Sequence, residues 1–127
     1  MRYDVTFISI SLICVLAGMS LGIWMGMHQD FTLAPAHAHI NLAGWVTLCL
    51  YGLVHRAFPA LATAKLAPIQ AFLAIVGGIA LPIGIALAVT HPNTPPVPAI
   101  IASFAVILGA LLFFIMFLGK ATFAKAT

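Results

Sequence analysis

Four apolar stretches, at about residues 6–28, 36–57, 66–89 and 97–119, occupy this chain almost from end to end. Each is long enough for a helix to cross the roughly 30 Å of hydrocarbon in a bilayer, which takes about 20 residues. Short breaks separate them: HQDFTLAP, HRAFPALATAK and THPNTPPVP, the last with four prolines in nine residues. Lipid offers no partner to an open backbone group, so each stretch must be helical, and short connectors make consecutive helices antiparallel neighbours. The expected fold is therefore all-α: one domain over residues 1–127, an integral membrane up-down four-helix bundle. Composition excludes the soluble alternative. Only 6% of the 127 residues are charged and 64% are hydrophobic, with a mean hydropathy of +1.20, whereas soluble domains carry about 25% charged residues.

The first stretch could instead be a cleaved signal peptide behind Arg2. It is longer than a typical signal core, and Asp4 spoils a basic leader, so a membrane helix is the expectation. Orientation follows from the basic residues. Arg2 precedes the first stretch, Arg56 and Lys65 lie between the second and third, and Lys120 and Lys125 follow the fourth. All five fall at one end, which the positive-inside rule makes cytoplasmic, together with both termini. A basic surface for nucleic acid would need lysines and arginines clustered on an exposed domain, and none is present.

The histidines collect at the other end. His28 closes the first stretch, His37 and His39 open the second, and His91 closes the third; only His55 lies on the basic side. A lone interfacial histidine is usually hydrogen-bonded to a carbonyl or headgroup. Four at one end of a small bundle point to ligation of a metal or a heme, since ligating groups at a membrane bundle mark function and neutral imidazole is the commonest metal ligand. Residues two apart on a helix are turned by about 200°, so His37 and His39 face opposite ways. They read as ligands to two different sites, one outward and in need of a second copy of the chain.

HAHINLAGWVTLCLYGLVHRAFP, from His37 to Pro59, resembles a helix of subunit I of the heme-copper oxidase superfamily, which takes in nitric oxide reductases and NnrS-type membrane proteins. The shared pattern is H-x-H at the outer end, Gly44 about two turns on, Gly52 near the inner end, and Phe58-Pro59 at the close. The resemblance implies that the two histidines serve different hemes on opposite sides of the helix. HINLAGW also resembles a second helix of that family, with His39 as the heme ligand. Departures are as informative: there is no adjacent His-His pair, no H-P-E-V-Y-type segment beyond a faint HPN at His91, and no buried Glu or Lys. These speak against oxygen reduction with proton pumping. The family's catalytic subunit has about twelve helices in three arcs, so the resemblance implies a homo-oligomer of this chain, a trimer ahead of a dimer.

Other features have plainer readings. Gly18, Gly22 and Gly26, and Ala80, Gly84 and Ala88, repeat every four residues and suit close helix packing, with a flat porphyrin face as the sharper alternative. Met19, Met25 and Met27 are expected to pack, and Cys14 and Cys49 to be buried without a disulfide; there is no C-x-x-C-H attachment motif, so any heme would be b-type. Trp24, Trp45 and Phe31 read as interfacial or core aromatics, although Trp45 and Asn41 could line a heme face. His55, next to Arg56, is expected in solvent or on a heme propionate. Asp30 could orient His28.

Three functions follow for test. The first is a b-type heme protein, with copper as a possible further metal, for electron transfer or for binding a diatomic gas such as O2 or NO. It would use His37, His39, His28 and His91 with Asn41 and Trp45 beside them, at the outer face of a bacterial or archaeal inner membrane, with membrane lipid and a redox partner. The second is a heme-free copper or zinc protein of assembly or delivery. The third, a small multidrug-type transporter, would need an intramembrane glutamate, and the sequence has no Glu.

Overall fold

The computed structural model describes residues 1–123, with side chains through Lys120; Lys125 lies outside the described residues. Four helical rods follow one another, alternating in direction. The first is α1 (Tyr3–His28). The second is built of three pieces, α2 (Ala34–His39), a π-helical segment (Ile40–Thr47) and α3 (Leu48–Ala57). The third and fourth are α4 (Ala67–Thr90) and α5 (Val97–Phe123). Three helices, Tyr3–His28, Ala67–Thr90 and Val97–Lys120, are long and apolar enough to cross a membrane.

The connectors are stiff for identifiable reasons. Gln29 takes a left-handed conformation (φ 52°) that ends α1 and returns its N–H to Met25. The Asp30 carboxylate then accepts the backbone N–H of Thr32 at 3.0 Å and its hydroxyl at 2.7 Å. Pro35 opens α2 and Pro68 opens α4, where a missing N–H costs nothing. Between α3 and α4 the chain winds into a 3-10 turn, Pro59–Thr63, that drives Leu61 into the core.

The π segment was not foreseen. Its wider loop lets the Thr47 hydroxyl reach the carbonyl five residues back, Leu42, at 2.8 Å. It lies between α1 and α4, and glycines let it fit: a Cβ on Gly44 would stand 3.0 Å from Cys14 Sγ, and one on Gly78 3.1 Å from the Ala43 carbonyl oxygen. Pro82, inside α4, has no N–H to give the Gly78 carbonyl, which lies against Gly44.

α4 and α5 form the tightest hairpin. A Cβ on Gly84 would come within 2.6 Å of the Ala99 nitrogen, one on Gly77 within 2.9 Å of the Val106 nitrogen, and one on Gly109 within 3.0 Å of the Ala74 nitrogen. Gly52 brings α3 equally close to α1, facing the Asp4 carbonyl at 3.0 Å. The rods thus lie in the order α1, second rod, α4, α5. At the basic end they close over a core of Tyr3, Phe7, Leu48, Leu61, Ala67, Ala71, Ala74 and Met116. Large apolar side chains such as Ile13, Leu16, Phe72, Ile101, Phe104 and Ile107 remain exposed along the outside, a surface suited to lipid.

Candidate heme and metal site

The four predicted histidines do stand at one end, and they share a local arrangement. His28 Nδ1 lies 2.9 Å from the Trp24 carbonyl, His37 Nδ1 2.8 Å from that of Gly18, and His39 Nδ1 2.8 Å from that of Pro35. His91 Nδ1 is 3.2 Å from the Leu87 carbonyl and 2.9 Å from the Thr90 hydroxyl, whose own proton goes to Ala86. A carbonyl oxygen only accepts, so Nδ1 is the donor in each ring. In the neutral imidazole that leaves the lone pair on Nε2, the atom free to ligate.

His37 and His39 occupy different environments, as their spacing requires. His37 crosses to α1. Its ring rests on Gly22, where a Cβ would meet Cε1 at 2.9 Å, and its hydrogen bond to Gly18 joins the two rods. Asn41 stands beside it, its amide donating to the His37 carbonyl at 2.9 Å, and a Cβ on Gly18 would lie 2.7 Å from that amide. His39 is half-buried and bonded within its own helix. The glycines of α1 thus make room for His37 and Asn41 of the neighbouring rod. Gly26 meets nothing.

The other predicted residues are spread around this end. His28 is exposed and stacked on Trp24 at 4.7 Å between ring centroids. Asp30 does not orient it. The Asp30 carboxyl is held below the usual carboxylate range by the Thr32 hydroxyl, then by the Thr32 N–H and the nearby His28. His91, also exposed, lines an apolar cavity of about 220 Å³ with Gly84, Leu87, Pro95 and Pro98. Trp45 is 38% exposed, Met19 and Met27 are exposed, and Met25 packs inside. Cys14 is buried, Cys49 is half-buried, and neither forms a disulfide. Among the described residues no three His, Cys, Asp or Glu side chains converge on a point that could hold a metal ion.

His55 overturns the expectation of a solvated side chain. It is 4% exposed, ringed by Tyr3 at 5.3 Å, Phe7 at 5.7 Å and Phe113 at 5.9 Å, and neither ring nitrogen has a hydrogen-bond partner. Its neighbour Arg56 lies about 100° further around the helix and stays exposed. Gln70, fully buried in α4, likewise has no partner for its amide. A signal for the His55 setting existed in the sequence: Tyr3 and Phe7, Tyr51 and His55, and Phe113 and Phe117 are each four apart, one helical face per pair.

The chain matches no protein-family model, no curated protein and no solved structure.

Proposed function

We propose that this chain is a membrane protein that binds b-type heme at its histidine end and serves electron transfer or the binding of a diatomic gas such as O2 or NO. In this reading the basic end and both termini are cytoplasmic, and the histidines face outward from the inner membrane of a bacterium or archaeon. The observation that carries it is the common hydrogen bonding of the four rings: with Nδ1–H tied to a backbone carbonyl, each keeps a free Nε2. That tie fixes the tautomer, orients the ring and raises its basicity, as ligating histidines require.

The residues present fit a heme best at His39, which is half-buried and whose ring hydrogen bond stays within its own helix. His37 is the internal partner, its ring already set against Gly22. A heme held here supplies a one-electron iron couple, or an open position for a diatomic ligand. The apolar helices would exclude water from it, and Asn41 fixes the turn on which both histidines sit by bonding the His37 carbonyl. A homo-oligomer, a trimer by the resemblance, would supply a second copy to an outward His39. His28 and His91 are the reserve of opposite ligands or of copper ligands, and a redox partner would approach this end.

The absorption spectrum of the protein purified from membranes tests this. A Soret band that shifts on reduction is expected, and carbon monoxide added to the reduced form separates open from closed iron. His39→Ala should lose that band, while His55→Phe should keep it. A colourless protein sinks the proposal; stoichiometric copper or zinc in it would put a heme-free metal protein in its place.

A further inference from the structure

A second site lies at the opposite end, independent of the outer histidines. The start of α1 and the end of α3 meet there across Gly52, and between them opens a cleft of about 270 Å³ lined by Arg2, Tyr3, Asp4, His55, Arg56 and Pro59 among others. The Asp4 carboxylate reaches Arg2 at 3.1 Å and Arg56 at 3.5 Å, both through one oxygen. It holds the two guanidinium groups near each other without using them up. Each has five N–H donors, and the side chains remain 69% and 71% exposed. Against the two guanidinium charges stands one carboxylate, and the cationic Met1 also lines the cleft.

His55 adds what a surface ion cluster lacks. It lines the same cleft, is more than nine-tenths buried, and has no partner for either nitrogen. Both nitrogens are closed to solvent, and a buried polar group left in that state is costly; an acceptor bound in the cleft that drew the ring N–H towards it would relieve that cost.

We infer that this cleft binds a singly charged phosphate ester, with Arg2 and Arg56 on its oxygens and the His55 N–H beneath. The net positive charge of the cleft favours an anion. Paired guanidinium forks suit the tetrahedral oxygens of a phosphate, to which arginine bonds bidentately. The cleft stands at the rim of the apolar rods, beside Lys65 and Lys120 at the same end, the level at which lipid headgroups lie if the helices span a bilayer. The ester can therefore be a lipid headgroup or a soluble compound of the same chemistry.

The test uses the full chain in neutral detergent, titrated with phosphatidylglycerol, with net-neutral phosphatidylcholine, and with glycerophosphoglycerol, the water-soluble phosphodiester of the first lipid's headgroup, while thermal unfolding is followed. Phosphatidylglycerol should raise the unfolding temperature saturably, and phosphatidylcholine, whose choline would meet the arginines, should not. A shift with glycerophosphoglycerol as well identifies a soluble ester; a shift with the lipid alone identifies the headgroup. Arg56→Gln, an exposed position where folding is not at stake, should weaken binding about tenfold. His55→Phe keeps the ring stack and should also weaken it, whereas Lys65→Gln, outside the cleft, should not. Absence of a shift with either ester overturns the inference, and so does an equal loss in Lys65→Gln and Arg56→Gln, which would mean surface charge alone.

Discussion

The two ends of the bundle hold histidines under opposite conditions. At the histidine end four rings each have one nitrogen bonded to a carbonyl and one free, and they sit on or near the surface. At the basic end one ring sits in an aromatic box with both nitrogens unpartnered. Packing differs in the same sense. Large side chains, Phe7, Leu48, Leu61 and Met116, fill the basic end around the Gly52 contact with Asp4, while at the other end glycine contacts such as Gly84 on Ala99 and Gly22 on His37 stand without such a core. The difference teaches where each kind of function can sit: a side chain needs a free atom at an accessible edge to take a cofactor, and a filled core gives it a fixed floor.

The largest test of that contrast is to empty the core. Phe7→Ala should cost about 3–5 kcal/mol of stability in detergent, and Phe31→Ala, at an exposed position of the histidine end, less than about 0.5 kcal/mol; equal losses would erase the distinction. Backbone contact is tested next. Gly84→Ala pushes a Cβ into the Ala99 backbone and should cost about 1–3 kcal/mol. Gly26→Ala meets nothing and should stabilise α1 by about 0.5–1 kcal/mol.

The same substitution should act with opposite sign at the two ends. His37→Phe breaks the hydrogen bond to Gly18 and should cost about 1 kcal/mol, whereas His55→Phe removes two unpartnered nitrogens and should gain about 1 kcal/mol in the absence of phosphate ester. Chemical denaturation in one detergent compares them directly, and a common sign would break the contrast. The smallest effect concerns Asp30, whose folded-state carboxyl is depressed by Thr32. Its contribution is present above the ordinary carboxylate pKa of about 3.9 and fades as pH falls through the lower folded value. NMR titration should place Asp30 below that range, and Thr32→Ala should return it towards it.

How much of this was readable depended on the kind of signal. The four rods and their breaks were, because lipid-compatible segments must be long, apolar and helical, and because Pro35, Pro59 and the prolines after His91 mark the breaks. That His37 and His39 would differ in surroundings was readable too, from a spacing of two on a helix; that His37 would bond α1 was not. The π segment was not: INLAGWVT has the composition of any apolar helix, and its widening shows only where Gly44 meets Gly78. His55 was misjudged because Arg56 beside it suggested solvent, whereas neighbours on a helix face different surroundings.

By itself the sequence determined the class of fold, the order of the rods and the separation of four of the five imidazoles from the basic side chains, since these depend on local hydropathy and position along the chain. The tertiary structure alone decided which ring nitrogens are tied, that Gly18 and Gly22 receive His37 and Asn41, and that Asp4 draws Arg2 and Arg56 together over a buried His55. Those outcomes depend on which faces of different rods meet, and no local pattern encodes the distance between residues 52 positions apart such as Asp4 and Arg56.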